Sequence, residues 1–201
     1  MFQVFRRIKF VVPIIVASSM IAATHVQAQD NKTVEGGRTT VHLSEGFVSA
    51  LGSLGVNPGT VSPTKLKDGK VDFPITGGAI DLHSAVGQII HSGGLTLTDG
   101  KTEVTLQSFI IDTTGAAPVI TGLVAVDGKQ LGRLPLFDLV LPEGFSTPLR
   151  PEFGFLVLKG VGVTLDKTAA GALDSVFKVS AFKKGFWIGT ADVVTLLQCE
   201  W

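Results

Sequence analysis

The tripeptide Asp-Gly-Lys occurs three times, at residues 68–70, 99–101 and 127–129, each time between runs rich in β-branched and apolar side chains. An Asp-Gly pair in that setting is a hairpin signal, because a two-residue type I′ turn needs positive φ at both central positions. A chain punctuated this way is committed to antiparallel neighbours. The flanking stretches KVDFPI, GLTLT, TEVTLQSFIID, PVITGLVAV and GRLPLFDLVL alternate in part with a two-residue period, as half-buried strands do. EFGFLVLKGVGVTL and GFWIGTADVVTLLQ read as strands too. The 24 glycines follow no collagen-like period and interrupt these runs, so they mark turns and bulges.

Two segments depart from the strand pattern. LSEGFVSALGSLG offers Ser44 as an N-cap and sets Phe47, Leu51 and Leu54 on one helical face. LDKTAAGALDSVF offers Asp166 as the cap, with Ala169, Leu173 and Val176 or Phe177 aligned. The segments match at a constant offset: Val41 with Val163, Leu43 with Leu165, Ala50 with Ala172, Leu51 with Leu173 and Ser53 with Ser175. Each reads as a strand running into a short capped helix, and the pair suggests two matching ends that close a sheet assembly. The expected fold is mainly β: an antiparallel β-sandwich or flattened barrel with two short helices.

The first 28 residues carry Arg6, Arg7 and Lys9, then an apolar stretch, then Val26 and Ala28 before Gln29. That is the pattern of a secretory signal peptide cut after Ala28, leaving residues 29–201 as one β-rich domain. The apolar stretch contains Pro13 and is too short to span a bilayer, and no transmembrane helix is expected after it. With three basic residues in the leader, the remainder is slightly acidic, and scattered lysines leave no footprint for nucleic acid. Cys199 is the sole cysteine, so the core carries the stability without an internal disulfide. The expected location is the periplasm or the cell surface.

The stretch GQIIHSGGLTLT raises the question of a site. Strict alternation puts Ile89, His91, Leu95 and Leu97 on one face, with His91 inward; a bulge at Gly93-Gly94 turns His91 outward instead. His83 falls in a turn, AIDLHSAVG, two residues after Asp81. His83 and His91 are the candidate ligand-binding residues. Zinc is not expected, because no short-spaced ligand pair accompanies a distant one. Hydrolase chemistry is not expected either: there is no G-x-S-x-G elbow, and Asp81, His83 and Ser84 are too close along the chain to converge as a relay. Asp138, an acid within the apolar PLFDLVL, reads as solvent-facing rather than catalytic.

Taken together, FPITGGAIDLHSAVGQIIHSGGLTL, VTLQSFIIDTTG and PLFDL resemble HtaA-type domains of bacterial haem uptake and their uncharacterised secreted relatives, over roughly residues 70 to 140. The resemblance implies a β-rich fold and haem as a candidate cofactor. Family haem binders hold iron through a tyrosine supported by a histidine, and this chain has no tyrosine. A haem iron would therefore have to take a histidine or Cys199. The leading expectation is an exported, non-enzymatic binding or structural module for an unknown small ligand or cell-envelope partner, with no cofactor required. Haem binding through His83 or His91 is the alternative. A small outer-membrane barrel is another, since VVTLLQCEW alternates up to a terminal aromatic.

Overall fold

The computed structural model describes residues 30–198. The leader, Cys199 and Trp201 lie outside that span. In chain order the elements are β1 (Asn31–Leu43), α1 (Glu45–Ser53), β2 (Asn57–Val61), β3 (Lys65–Lys67), β4 (Lys70–Asp81), β5 (Gly87–His91), β6 (Gly94–Thr98), β7 (Glu103–Asp112), β8 (Val119–Val126), β9 (Lys129–Val140), β10 (Phe155–Leu165), α2 (Lys167–Phe177) and β11 (Trp187–Leu197). All strand pairs are antiparallel.

Of the two architectures the sequence allows, the chain adopts the barrel. Strands β7, β5, β4, β1, β11, β10, β9 and β8 follow one another, and β8 returns to β7, closing a ring of eight. β6 and β2 extend from β7, while β3 hangs on β4. Eight strands enclose a space just wide enough to be filled by side chains or to hold one small ligand. Inward positions alternate along each strand: Val34, Thr39 and Val41 on β1, Val71, Phe73 and Ile75 on β4, Val104, Leu106, Phe109 and Ile111 on β7. Each large apolar side chain so buried stabilises the fold by roughly 1.5–3 kcal/mol. The outer wall carries Glu35, Arg38, Glu103, Arg133 and Lys159. The same outer surface leaves Phe155 and Val157 of β10 and Val194 of β11 exposed.

Two of the three Asp-Gly-Lys turns are the two-residue hairpins expected. Asp68 and Gly69 have φ of 50° and 71°, and Asp127 and Gly128 have 48° and 78°. The third differs because four residues, not two, separate β6 from β7. There only Gly100 has positive φ (84°), and the Asp99 carboxylate closes the turn by accepting from the Lys101 and Thr102 amides at 2.9 and 2.8 Å.

The matched helical segments have a shared position. Ser44 Oγ accepts from the Phe47 amide at 3.1 Å, and the Asp166 carboxylate accepts from the Thr168 amide at 2.6 Å. β1 and β10 flank β11 on opposite sides, so both run the same way and deliver α1 and α2 to the same end of the barrel. All three Asp-Gly-Lys turns lie at that end as well. The opposite end is closed by the turn between β4 and β5 and by the loops before β8 and β10.

The ring has a seam. The C-terminal half of β4 pairs with β5, from Ile80 with Gly87 to Ile75 with His91. Beyond His91 the wall parts. β6 leaves to pair with β2, and the start of β4 pairs with β3. The successive segments β2 and β3 thus span the parting as a clasp. Gly93 makes the break possible: its φ is +79°, and a Cβ there would sit 2.3 Å from Thr64 Oγ1 and 2.8 Å from the Thr64 amide nitrogen.

Candidate functional site

Beneath the two helices the barrel interior holds an apolar cavity of about 110 Å³. Its walls come from most of the ring. Val41 and Thr39 stand on β1, Phe73 on β4, Leu106 and Phe109 on β7, and Leu136 on β9. Phe47 of α1 and Leu173 of α2 close it from above, and Leu66 of β3 and Pro58 of β2 close it at the clasp. Phe73 and Phe109 meet edge to face with centroids 5.2 Å apart. Gly122 allows that ring its place, since a Cβ there would lie 3.0 Å from the Phe109 ring and 2.7 Å from Leu136.

His91 is the one titratable side chain on the wall of this cavity among the described residues. It points inward, as strict alternation expects; the strand breaks after it without changing which face it occupies. Only 4% of it is exposed. Its Nε2 lies 2.7 Å from Thr39 Oγ1, also buried, and its Nδ1 has no hydrogen-bond partner. Burial pushes the imidazole pKa down to about 4, and the nearby backbone of Phe109 and Ile89 only partly opposes this. The ring is therefore neutral at ordinary pH.

His83 is elsewhere. It is exposed on the turn between β4 and β5, at the opposite end of β5 from His91. The two histidines do not share a cavity. Asp81, buried, accepts from both the amide and the hydroxyl of Ser84 at 2.7 Å, and these bonds hold its carboxyl below the usual range. Asp81 thus ties a turn instead of orienting His83. His42 lies on the outer wall, 3.3 Å from Asp192. Asp138 is half-buried beside Lys184, at 4.0 Å. Among the described residues no three metal-ligating side chains come together.

A second cavity, of about 200 Å³, lies at the turn-closed end among Ile80, Ala85, Leu141, Phe145, Leu158 and Val193. Ile111 and Ile120 line both cavities and separate them at mid-barrel. Sequence reasoning missed both spaces. The inward alternation of His91 and the leucines of β6 was the one signal that pointed to the first.

No family model matches the chain, and no curated protein matches it. Solved structures do. The C-terminal domain of HtaA from Corynebacterium glutamicum is similar with a TM-score of 0.63 at 16% identity, covering 83% of this chain and 99% of that one. The N-terminal domain of the same protein is similar at 0.61 and 10% identity, with the same coverage. The heme-binding protein HtaB from that organism is similar at 0.54 and 10% identity, covering 85% of this chain and 96% of that one. The eight-stranded ring with its two helices is thus the fold of an HtaA-like domain.

Proposed function

We propose that this protein is an exported, non-enzymatic binding module that holds a small apolar guest in the helix-capped cavity. The observation that carries this reading is the cavity itself: a space of about 110 Å³ inside the barrel, walled by aliphatic side chains and the rings of Phe47, Phe73, Phe109 and Phe137. Apolar cavities of roughly 150 Å³ stay dry and take up benzene, so this volume suits one ring or a short branched alkyl group. A binding role is supported by the chemistry of the wall. A lone neutral imidazole bonded to a threonine supplies no nucleophile, no oxyanion donors and no second acid or base. Export is supported by the leader pattern at residues 1–28.

Toluene is the test ligand. Titrated into the protein at pH 7.5, it is expected to give saturable NMR shifts at Leu106, Phe109 and Leu173, and Ala172→Phe, which fills the cavity from α2, should abolish them. Shifts that never saturate, or that survive the filling variant, would remove the proposal. Release from cells by osmotic shock without detergent tests the location.

The likeness to HtaB supports a second reading, haem as the guest. The helix-capped cavity does not fit it. Ligands of that size occupy roughly 300–1,000 Å³. Among the described residues His91 is the one side chain of this wall that could ligate iron, and no lysine or arginine lines the space to pair with propionates. Haem titration is therefore expected to leave the Soret band of free haem unchanged. A saturable Soret shift lost in His83→Ala or His91→Ala would restore haem as the ligand.

A further inference from the structure

We infer that occupancy of the helix-capped cavity and protonation of His91 exclude one another, so that the cavity takes its apolar guest with the imidazole neutral and releases it when the imidazole is charged. The inference rests on the reading of that cavity as a binding site.

The argument starts from donors and acceptors. An imidazolium has two N–H groups to satisfy. His91 has one side-chain acceptor, Thr39 Oγ1 at 2.7 Å, and its other ring nitrogen has no partner. Which neutral tautomer is present does not matter, because Thr39 can turn its hydroxyl to donate or to accept. A protonated ring in either case presents one N–H without a side-chain acceptor. A charged, buried group with a donor so placed is costly; the nearby Phe109 and Ile89 backbone offsets that cost in part, and water beside the ring lowers it further.

The ring borders the cavity through carbon, not nitrogen, so water in that space lowers the cost of the charge across the ring edge, and the guest removes that water. With toluene in the cavity, the charged ring faces hydrocarbon; without it, water entering the same space can solvate the ring. The guest therefore binds the neutral form more tightly, and by linkage it must also lower the affinity of His91 for a proton.

Among the described residues no other charged side chain lines the cavity with the ring. On β1 the charged or titratable groups are Lys32, Glu35, Arg38 and His42, none of which lines the cavity. On β4, Asp72 is on the outer wall with Arg38 at 3.9 Å and Thr40 at 2.6 Å, Lys70 is exposed at the hairpin, and Asp81 is held by Ser84. On β7, Glu103 and Asp112 sit at the two ends of the strand, and Asp112 is bonded to Thr114. β6 carries no charged residue, and neither helix places one on the cavity wall.

The experiment is toluene affinity of the whole protein by NMR from pH 7.5 down to the onset of acid unfolding. The affinity should be flat near neutrality and should fall towards tenfold per pH unit once the free protein's His91 titrates. His91→Leu alters the cavity wall, so its own affinity at pH 7.5 is the reference, and from that value no such fall should follow. Reciprocally, saturating toluene should move the ¹⁵N titration of the His91 ring to lower pH in the unaltered protein, a readout that needs no variant. A pH-independent affinity, a fall that persists in His91→Leu, or a ring titration unmoved by toluene would overturn the inference while leaving the cavity reading intact. Absence of toluene binding at pH 7.5 would sink both.

Discussion

The two ends of the barrel enclose cavities of similar scale and treat polar atoms differently. At the turn-closed end, each hydroxyl near the cavity ties backbone or a neighbouring acid. Thr113 Oγ1 accepts from the Gly87 amide at 2.8 Å and donates to the Ala85 carbonyl at 2.7 Å, and Ser84 Oγ donates to Asp81. Near the helix-capped end the account does not close. The two buried side-chain atoms without partners among the described residues, His91 Nδ1 and Thr64 Oγ1, flank the break in the wall at Ser92–Gly93. Native folds leave few such atoms. The contrast teaches that size alone does not mark a site; the smaller cavity is the one built beside unsatisfied chemistry.

The largest expected effect tests the tightness of the seam. Gly93→Ala meets both a left-handed φ and the backbone of Thr64, so it should lose about 2–5 kcal/mol in urea denaturation. Gly115→Ala, in the loop of the opposite end, has its nearest neighbour at 3.8 Å and should stay within about 0.5 kcal/mol. Similar losses at both positions would erase the distinction between the ends.

Next in size is the pH dependence. His91 titrates near 6.5 when unfolded and at about 4 when folded, so between those values the unfolded chain binds the extra proton. Stability should therefore drop by about 3 kcal/mol as pH falls from 6.5 to 4, and His91→Leu should flatten that slope. The acids of the opposite end act in another window. Asp81 is shifted down, so its contribution is complete above the ordinary carboxylate pKa and fades only as pH falls below it. A slope between pH 6.5 and 4 that survives His91→Leu would assign it to other groups.

The smallest effect concerns the lid. Ser44→Ala and Asp166→Ala each remove an N-cap and should cost about 1 kcal/mol. Hydrogen exchange should speed up in α1 or α2 and stay unchanged in the turn between β4 and β5. Exchange that accelerates equally at both ends would show the helices to be welded to the barrel instead of resting on it.

Much of the fold was legible because its signals are local. Two Asp-Gly pairs fixed hairpins, two caps fixed helices, and alternation fixed the inward face of β1, β4 and β7. The third Asp-Gly also joins a hairpin, but its four-residue loop selects a different turn, because loop length and not the dipeptide decides the type. Closure was not legible, since it depends on β5 meeting β7 past β6 and on β1 finding both β4 and β11, the first strand of the chain with the last. The same distance hid the site. His91 showed its direction, but its partner Thr39 lies 52 residues earlier, and the space around the pair exists only when strands from every part of the chain and both helices have assembled. His83 carried an equal signal in the sequence and stands exposed on a turn.

A parted wall leaves two strand margins, and a bare margin is ordinarily a template on which another chain can stack. Here β2 is five residues long and bears Pro58, and β3 is three residues long with Lys65 and Lys67 exposed. Short length, a missing amide and outward ammonium groups each discourage recruitment of a foreign strand. The protein can thus keep a parted wall without offering the first rung of a fibril.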